Sequence, residues 1–213
     1  MINRLEPLSV AARGRDVQTA RMQSFFESEF TEHLSVAKAT GEQLRDPFLR
    51  VVAVCVASVK AGGKIFFFGN GGSAADAQHL ATELTIRYKK DRRPIAAIAL
   101  TTDSSAVTAA GNDMGFEHIF ARQLDALGAR GDVAIGITTS GRSPNVIKAF
   151  ETARGRGIVT VAFTGGTGGN ILPVADHILL VPSTVTARIQ EMHITLGQML
   201  CGALEIELGL VKN

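Results

Sequence analysis

Five short apolar runs separated by helical stretches constrain the fold of this chain more than any other feature. The runs cover residues 64–68, 95–100, 133–137, 158–163 and 178–181, with helical patterns at 74–88, 115–127, 144–155 and 186–208. Uninterrupted apolar runs of this length are typical of strands buried on both faces. Their alternation with helices predicts one α/β domain, a doubly wound parallel sheet in three α/β/α layers. Ligands of such sheets bind beyond the carboxyl ends of the strands, so functional residues are expected just after strands.

Two amphipathic helices are predicted ahead of the first strand, at 17–40 and 42–61. We divide the chain into an N-terminal arm, residues 1–15, and a single domain, residues 16–213. That domain comprises the N-terminal helices (16–62) and the doubly wound core (63–213). Because the leading helices have no strand of their own to cover, we expect them to pack against another subunit. Two extra helices on a monomer are the alternative.

Composition argues against several classes of partner. The net charge is only +2, and the densest basic cluster, residues 89–93, is interrupted by Asp91, which is typical of a solvated loop rather than a nucleic-acid site. No apolar run approaches the roughly 18 residues of a membrane span, and the N-terminus does not resemble a signal peptide. Cys55 and Cys201 have no metal-ligand spacing. Buried free thiols and a cytoplasmic location are therefore expected, with no membrane and no nucleic acid as partner.

A glycine loop follows the first predicted strand at residues 69–76, Gly-Asn-Gly-Gly-Ser-Ala-Ala-Asp. Glycines allow close approach of a ligand to the backbone and positive φ angles. Ser73 is a good N-cap, and the amides of the first helical turn carry partial positive charge. The loop has neither the Walker nor the dinucleotide spacing. It predicts an anion or hydroxyl site, with a plain strand-to-helix turn as the alternative.

A hydroxyl loop follows the third predicted strand, at residues 138–144. It carries four hydroxyls, from Thr138, Thr139, Ser140 and Ser143, followed by Pro144 at a predicted first helical position. Hydroxyls together with helix-start amides can surround a phosphate, whereas capping alone needs one hydroxyl. We therefore predict phosphate binding here. The glycine-rich segment 164–170 is predicted to be a flexible turn.

His79 and Glu83 are spaced i, i+4 on the helix after the glycine loop, on one face and about 6 Å apart. Such a pair can ligate a metal or move protons, and a polar surface stripe is the alternative. On the last helix, Gln190 and Gln198 lie roughly 12 Å apart along the axis. His193, between them, is predicted to be a core histidine.

Four motifs in this order resemble the phosphoheptose (sedoheptulose 7-phosphate) isomerases of the sugar-isomerase (SIS) domain superfamily. They are Gly-Asn-Gly-Gly-Ser-Ala-Ala-Asp-Ala-Gln-His, Ala-Gly-Asn-Asp, Thr-Ser-Gly-x-Ser and Arg-Ile-Gln-Glu-x-His, and the similarity covers about residues 17–210. The resemblance implies a flavodoxin-like fold, a homotetramer with sites between subunits, and one zinc ion per site. It also implies conversion of sedoheptulose 7-phosphate to a manno-heptose 7-phosphate for surface-heptose synthesis.

The resemblance also implies roles for individual residues. Substrate would be held by the glycine loop and by Asn112 and Asp113, the latter two being a helix cap in the alternative interpretation. Besides Asn112 and Asp113, the implied substrate contacts are Asn70, Gly71, Gly72, Ser73, Thr138, Thr139, Ser140, Ser143 and Gln190. The implied zinc ligands are His79, Glu83, Gln190 and Gln198, with Glu83 and Gln198 at the catalytic positions.

Gln198 stands where the family has a histidine that is both fourth ligand and acid–base group. An amide can offer an oxygen to zinc but cannot exchange a proton near neutral pH. The second acid–base role would then fall to water or to another residue such as His193. The alternative function is a phosphosugar-binding SIS protein without strong catalysis, acting through protein partners as a replication-initiation regulator of this fold does.

Overall fold

The fold is a three-layer α/β/α sandwich, seen in a computed structural model that describes residues 10–211, with side chains from residue 18 onward. The strands are β1 (Ile65–Gly69), β2 (Ala97–Ala99), β3 (Val133–Ile137), β4 (Val159–Gly165) and β5 (His177–Val181). The helices are α1 (Val10–Gln43), α2 (Arg45–Lys60), α3 (Gly72–Thr85), α4 (Ser104–Met114), α5 (Ala121–Leu127), α6 (Pro144–Gly155) and α7 (Thr186–Glu207).

The sheet has the order β2-β1-β3-β4-β5 and every neighbouring pair is parallel. The predicted fold class is therefore confirmed. The order reverses between β1 and β3, which makes the gap beyond their carboxyl ends the topological switch point, where ligands bind in such sheets. The glycine loop follows β1 and the hydroxyl loop follows β3, so both predicted anion loops lie at that point.

Alternating side chains of β1 divide the core into two halves, because successive residues of a strand point to opposite faces. Ile65 and Phe67 join the core beneath α2, α3 and α7. Phe66 and Phe68 join the core beneath α4, α5 and α6. All four side chains are fully buried, which accounts for the continuous apolar run seen in the sequence.

Helix α4 is absent from the sequence-based prediction. Val107 and Met114 are its only large apolar residues, and Ala110 is its one buried position, so it has little apolar periodicity to detect. Asp103 caps the helix by accepting a hydrogen bond from the backbone N–H of Ala106 at 3.0 Å. A carboxylate cap and the packing of Ala110 into this half of the core define a helix that hydrophobic spacing does not reveal.

The leading helices were predicted correctly in kind, but α1 already includes residues 10–15, which the sequence assigned to the arm. Residues 1–9 of the predicted arm lie outside the described residues. Helix α1 is held to α7 by Arg188, which donates to the Glu29 carbonyl at 2.7 Å and to the Glu29 carboxylate at 2.8 Å. Within residues 10–211, no helix is long and apolar enough to cross a membrane.

Cys55 and Cys201 are buried free thiols, as predicted. Burial raises the pKa of each thiol to about 12. Since the thiolate is the nucleophile and the metal ligand, both cysteines are structural apolar groups at neutral pH.

Candidate active site

The glycine loop turns sharply between β1 and α3. Gly71 is the N-cap of α3 and has a φ of +56°, a conformation that favours glycine. Gly72 faces α7, since a Cβ there would lie 2.6 Å from the Nε2 of Gln190 and would displace the end of that side chain. The predicted capping role of Ser73 is wrong: Ser73 lies inside the first turn and is buried. The loop therefore exposes backbone rather than a capping hydroxyl at the helix start.

Asn70 joins the glycine loop to the start of α6. Its side-chain amide donates to Asn145 at 2.9 Å, and the amide of Asn145 donates back at 2.8 Å. Asn145 is buried at 1% exposure. The two post-strand loops are thus fixed to each other. The predicted substrate contact of Asn70 is left to its backbone, to the second N–H of its amide and to the second lone pair of its oxygen.

The four hydroxyls of the hydroxyl loop divide into two pairs. Thr138 is buried and its Oγ1 lies 3.2 Å from the Oγ of Ser143, the N-cap residue of α6. Thr139 and Ser140 instead line a cavity of about 220 Å³. Its other lining residues are Arg142, Gly165, Gly166, Thr167, Thr184, Thr186 and Ile189. Hydroxyls, one cation and glycine backbone, with no carboxylate, form a suitable surrounding for an anion.

The third glycine-rich loop forms a turn at residues 166–167, as the sequence predicted, and packs on the hydroxyl loop. Ile171 donates from its backbone to the carbonyl of Gly141 at 3.0 Å. A Cβ on Gly141 would collide with the carbonyl of Gly168, and a Cβ on Gly169 would lie 2.5 Å from the carbonyl of Ser140. Backbone packs on backbone here, so this loop supports the hydroxyl loop from behind and contributes Thr167 to its cavity.

His79, Glu83 and Gln198 meet across the contact between α3 and α7. The Nε2 of His79 lies 2.9 Å from the Oε1 of Glu83 and 3.0 Å from the side-chain amide of Gln198. A neutral ring nitrogen offers either a proton or a lone pair. With the proton on Nε2, His79 donates to Glu83, and the amide of Gln198 turns its oxygen toward the ring; amide orientation is assigned from such networks. Three of the four implied ligands therefore converge on one point.

Gln190, the fourth implied ligand, lies two turns earlier on α7, opposite Gly72. The donor set that converges comprises one imidazole, one carboxylate and one amide, and no group of three or more His, Cys, Asp or Glu in residues 18–211 is placed to hold a metal. Imidazole suits zinc, while carboxylate and amide oxygens suit harder cations as well. The set fits a divalent cation held by mixed nitrogen and oxygen donors.

Asn112 and Asp113 lie in the last turn of α4, where the Asn112 amide donates to the Asp113 carboxylate at 2.7 Å. They do not cap the following helical segment, whose N-cap is Gly115. Asp113 faces a separate cavity of about 610 Å³ between α4 and α5, together with Asp103 and Arg122. Their predicted contact with substrate remains a prediction.

His193 is the core histidine that the sequence predicted. It is fully buried, with its Nε2 3.2 Å from the carbonyl of Thr164 and its Nδ1 without a partner among the described residues. Burial lowers the pKa of His193 to about 4, so the ring is neutral near pH 7. Burial also raises the pKa of Asp76 beside the glycine loop, an effect that the charge of His79 opposes.

The sequence reasoning missed two residues of this region. Asn145 gave no signal beyond its place after Pro144. Arg92 was assigned to a solvated basic cluster, yet its side chain is 1% exposed and forms an ion pair of 2.8 Å with Glu205. The basic cluster lies directly before Pro94 and the apolar strand β2. Its closeness to a buried strand is the one sequence signal for a buried arginine.

Comparison with known proteins agrees with this geometry. The sequence profile of the SIS domain family matches residues 29–165. The chain is 57% identical over 182 residues to a phosphoheptose isomerase of Paramagnetospirillum magneticum, covering 85% of this chain and 95% of the relative. It is 53% identical over 176 residues to a phosphoheptose isomerase of Aquifex aeolicus, covering 83% and 92%.

The chain belongs to the phosphoheptose isomerase family of SIS-domain proteins. The solved phosphoheptose isomerase of Neisseria gonorrhoeae has a TM-score of 0.82 and 42% identity, covering 87% of this chain and 99% of that one. A Vibrio vulnificus NanR protein in complex with ManNAc-6P has a TM-score of 0.65 at 18% identity, covering 90% of this chain and 66% of that one, and shares the fold alone. The chain therefore shares its fold with NanR and both its fold and much of its sequence with phosphoheptose isomerases.

Proposed function

We propose that this protein isomerises sedoheptulose 7-phosphate to a D-glycero-manno-heptose 7-phosphate, supplying a precursor for surface heptose. The observation that carries the proposal is the meeting of His79, Glu83 and Gln198 between α7 and α3, the helix that begins at the glycine loop. The names of the relatives support the substrate class.

The phosphate is assigned to the cavity beside the hydroxyl loop. Thr139 and Ser140 offer hydroxyls, the start of α6 offers partial positive charge, and Arg142 offers a cation that no carboxylate of the lining neutralises. Thr138 and Ser143 hold the loop in shape through their mutual contact. From the family resemblance, we assign binding of the sugar chain to the glycine loop and to Asn112, Asp113 and Gln190.

Glu83 is assigned as the base. Its carboxylate takes a proton from C1 of the ketose; the C1–H electron pair forms a C1=C2 bond and the carbonyl π pair moves to O2, which gives an enediolate. The enediolate then passes its O1 proton to O2, the O1–H electron pair forms the C1=O bond, and the C1=C2 π pair takes the proton back from Glu83 at C2. The aldose is complete, and atoms and electrons balance without a redox partner. The Glu83 side chain is 18% exposed and held by His79, which orients it for transfer over a short distance.

A divalent cation, zinc in the family resemblance, would be held by His79, Glu83 and Gln198, with Gln190 as the fourth ligand. When bound, such an ion polarises the oxygens that develop negative charge. The transfer between O1 and O2 needs a group other than Gln198, whose amide has no usable pKa, and other than His193, which is buried away from solvent. Water is the remaining carrier in this proposal, and a slow enzyme is expected, since acid–base help is worth about 10²–10⁴-fold.

We further propose a cytoplasmic homotetramer. Helix α1 exposes an apolar stripe formed by Met22, Phe25, Phe26, Phe30 and Leu34, which are between 51% and 64% exposed. A contiguous exposed apolar patch of this kind marks an interface. His79 is also half exposed, so a second copy could close the site, as the family resemblance implies.

The test is incubation of purified protein with sedoheptulose 7-phosphate and Zn²⁺, with the aldose followed by NMR. We expect slow turnover in the wild type, loss in Glu83→Gln, and a faster rate in Gln198→His, which restores an acid–base group. A phosphosugar that binds to wild type and to Gln198→His without turnover in either contradicts the isomerase. Unchanged turnover in Glu83→Gln contradicts the assignment of the base.

The alternative, a binding protein that acts through protein partners, rests on Gln198 alone. The relatives that are about half identical to this chain over their aligned residues are named as isomerases, and the NanR protein shares the fold alone. The alternative is therefore not favoured.

A further inference from the structure

The contact between α3 and α7 ends at a buried ion pair, Arg92 with Glu205. The two helices approach closely where Leu80 packs on Gly197, and a Cβ on Gly197 would lie 2.5 Å from the side chain of Leu80. One residue earlier on α3 and one residue later on α7, His79 meets Gln198. Glu205 lies seven residues beyond Gln198, two turns along α7. Its Oε1 accepts a hydrogen bond of 2.8 Å from the Nε–H of Arg92.

Arg92 contacts the end of α3 rather than solvent. Its guanidinium donates to the main-chain carbonyl of Glu83 at 2.7 Å and to that of Leu84 at 2.9 Å. A longer contact of 3.3 Å reaches the carbonyl of Ile86. The last carbonyls of a helix lack intrahelical partners and carry partial negative charge, so a cation there completes the helix end.

Glu205 keeps this cation in place from the other helix. Its side chain is 3% exposed, and its Oε1 also accepts the backbone N–H of Tyr88 at 3.2 Å. A planar guanidinium can serve a carboxylate and several carbonyls at once, which the point charge of a lysine cannot do. Arg92 thus connects α7, through Glu205, to the main chain of the residue assigned as the base.

We propose that Arg92 and Glu205 are positioning residues for the Glu83 and His79 pair. By fixing the main chain of Glu83 relative to α7, the ion pair sets the distance between His79 on one helix and Gln198 on the other. Neither residue touches the reacting atoms. The proposal rests on the proposed function for its kinetic consequence, but its structural core, the placement of His79 against Gln198, does not depend on turnover.

The first readout uses metal-free protein. The imidazole ¹⁵N resonances of His79, assigned by their loss in His79→Asn, report its contact with Gln198, and Gln198→Ala gives the value for a detached ring. We expect Arg92→Lys and Glu205→Gln to move the His79 Nε2 resonance toward the Gln198→Ala value. The resonances of His193, buried against Thr164, should stay in place.

Lys64→Met is the matched control. Lys64 pairs with the buried Asp132 at 2.7 Å and lies over the ring of Phe66, in the opposite half of the core. Its loss should lower stability without moving His79. An unmoved His79 resonance in Arg92→Lys and in Glu205→Gln, at whatever cost in stability, overturns the proposal.

A double variant covers the case in which single substitutions leave an unpaired buried charge and do not fold. Arg92→Met/Glu205→Leu replaces the pair by apolar groups, a change that folded proteins often tolerate, and it removes the donor to the Glu83 carbonyl. A displaced His79 resonance in this variant supports positioning, and a wild-type resonance overturns it.

The second readout is kinetic. Misplacement of a catalytic group by a fraction of an ångström to 1 Å costs up to about 100-fold in rate, so kcat should fall about tenfold in Arg92→Lys. KM should change less than about threefold, because the hydroxyl loop lies beyond the carboxyl end of β3, whereas Arg92 precedes β2 and so lies toward the opposite end of the parallel sheet. Absence of turnover in the wild type would count against the proposed function, and the His79 resonance would still decide the positioning role.

Discussion

Asn70 and Asn145 exchange two hydrogen bonds, of 2.9 and 2.8 Å, between the loop after β1 and the first turn of α6. Each amide uses one donor and its oxygen on the other, so the pair closes on itself. Because these loops flank the switch point, the contact sets the width of the gap into which a phosphosugar would fit.

Replacing one member of this pair should lower stability by about 1–3 kcal/mol, since the other amide loses both partners. We expect Asn70→Ala, Asn145→Ala and their double variant to give a coupling energy of about 1 kcal/mol or more in denaturant titrations. Asn170→Ala, at an exposed position, is the control and should change stability by less than about 0.5 kcal/mol. Strictly additive single effects would show that the two amides do not support each other.

Gly141 and Gly166 offer a matched pair of substitutions in neighbouring loops. Both have positive φ, +63° and +60°. A Cβ on Gly141 collides with the carbonyl of Gly168, whereas a Cβ on Gly166 meets nothing within 4 Å. Gly166→Ala should therefore lower the free energy of unfolding by about 1–2 kcal/mol, the cost of a side chain at positive φ. Gly141→Ala should lower it by about 3 kcal/mol or more, because the collision adds to that cost. Equal costs in thermal or denaturant unfolding would contradict close packing of the two loops.

Burial of neutral His193 makes stability depend on pH. The pKa falls from 6.5 to about 4 on folding, so the unfolded chain binds the extra proton between these values. The stability gained by keeping His193 neutral in the folded state is present in full above pH 6.5. It is lost as pH falls toward 4, and the total loss is roughly 3 kcal/mol of unfolding free energy. We expect His193→Gln to flatten this part of the pH dependence of unfolding, and His118→Gln, at a less buried position, to retain it. Parallel pH curves for wild type and His193→Gln would contradict the assignment.

The exposed stripe of α1 should hold subunits together. A charge at Phe26 or Phe30 would have to be desolvated in an interface, so Phe26→Glu and Phe30→Glu should shift the protein toward smaller species in light scattering coupled to size exclusion. Ser24→Glu adds the same charge on the opposite side of α1, by the 100° step of a helix, and should leave the mass unchanged. A wild-type mass equal to one chain would contradict the tetramer.

The sequence by itself determined the fold class and the place of the site. Continuous apolar runs are required of strands covered on both faces, and loops at strand ends converge once those strands are parallel, so the glycine and hydroxyl loops were found from their positions alone. The i, i+4 spacing of His79 and Glu83 was equally local. Helix α4 was missed because its stability comes from a cap and from tertiary contact rather than from apolar periodicity.

Only the tertiary structure decided which remote side chains meet. Gln198 contacts His79 across 119 positions, Asn145 contacts Asn70 across 75, and Glu205 contacts Arg92 across 113. Spacing along the chain carries information about one helix or one loop, whereas these contacts depend on how α3, α6 and α7 are placed on the sheet. The same placement explains why Arg92, expected at the surface, is a buried cap on α3. The Glu205 carboxylate and the main-chain carbonyls of Glu83 and Leu84 accept its hydrogen bonds there.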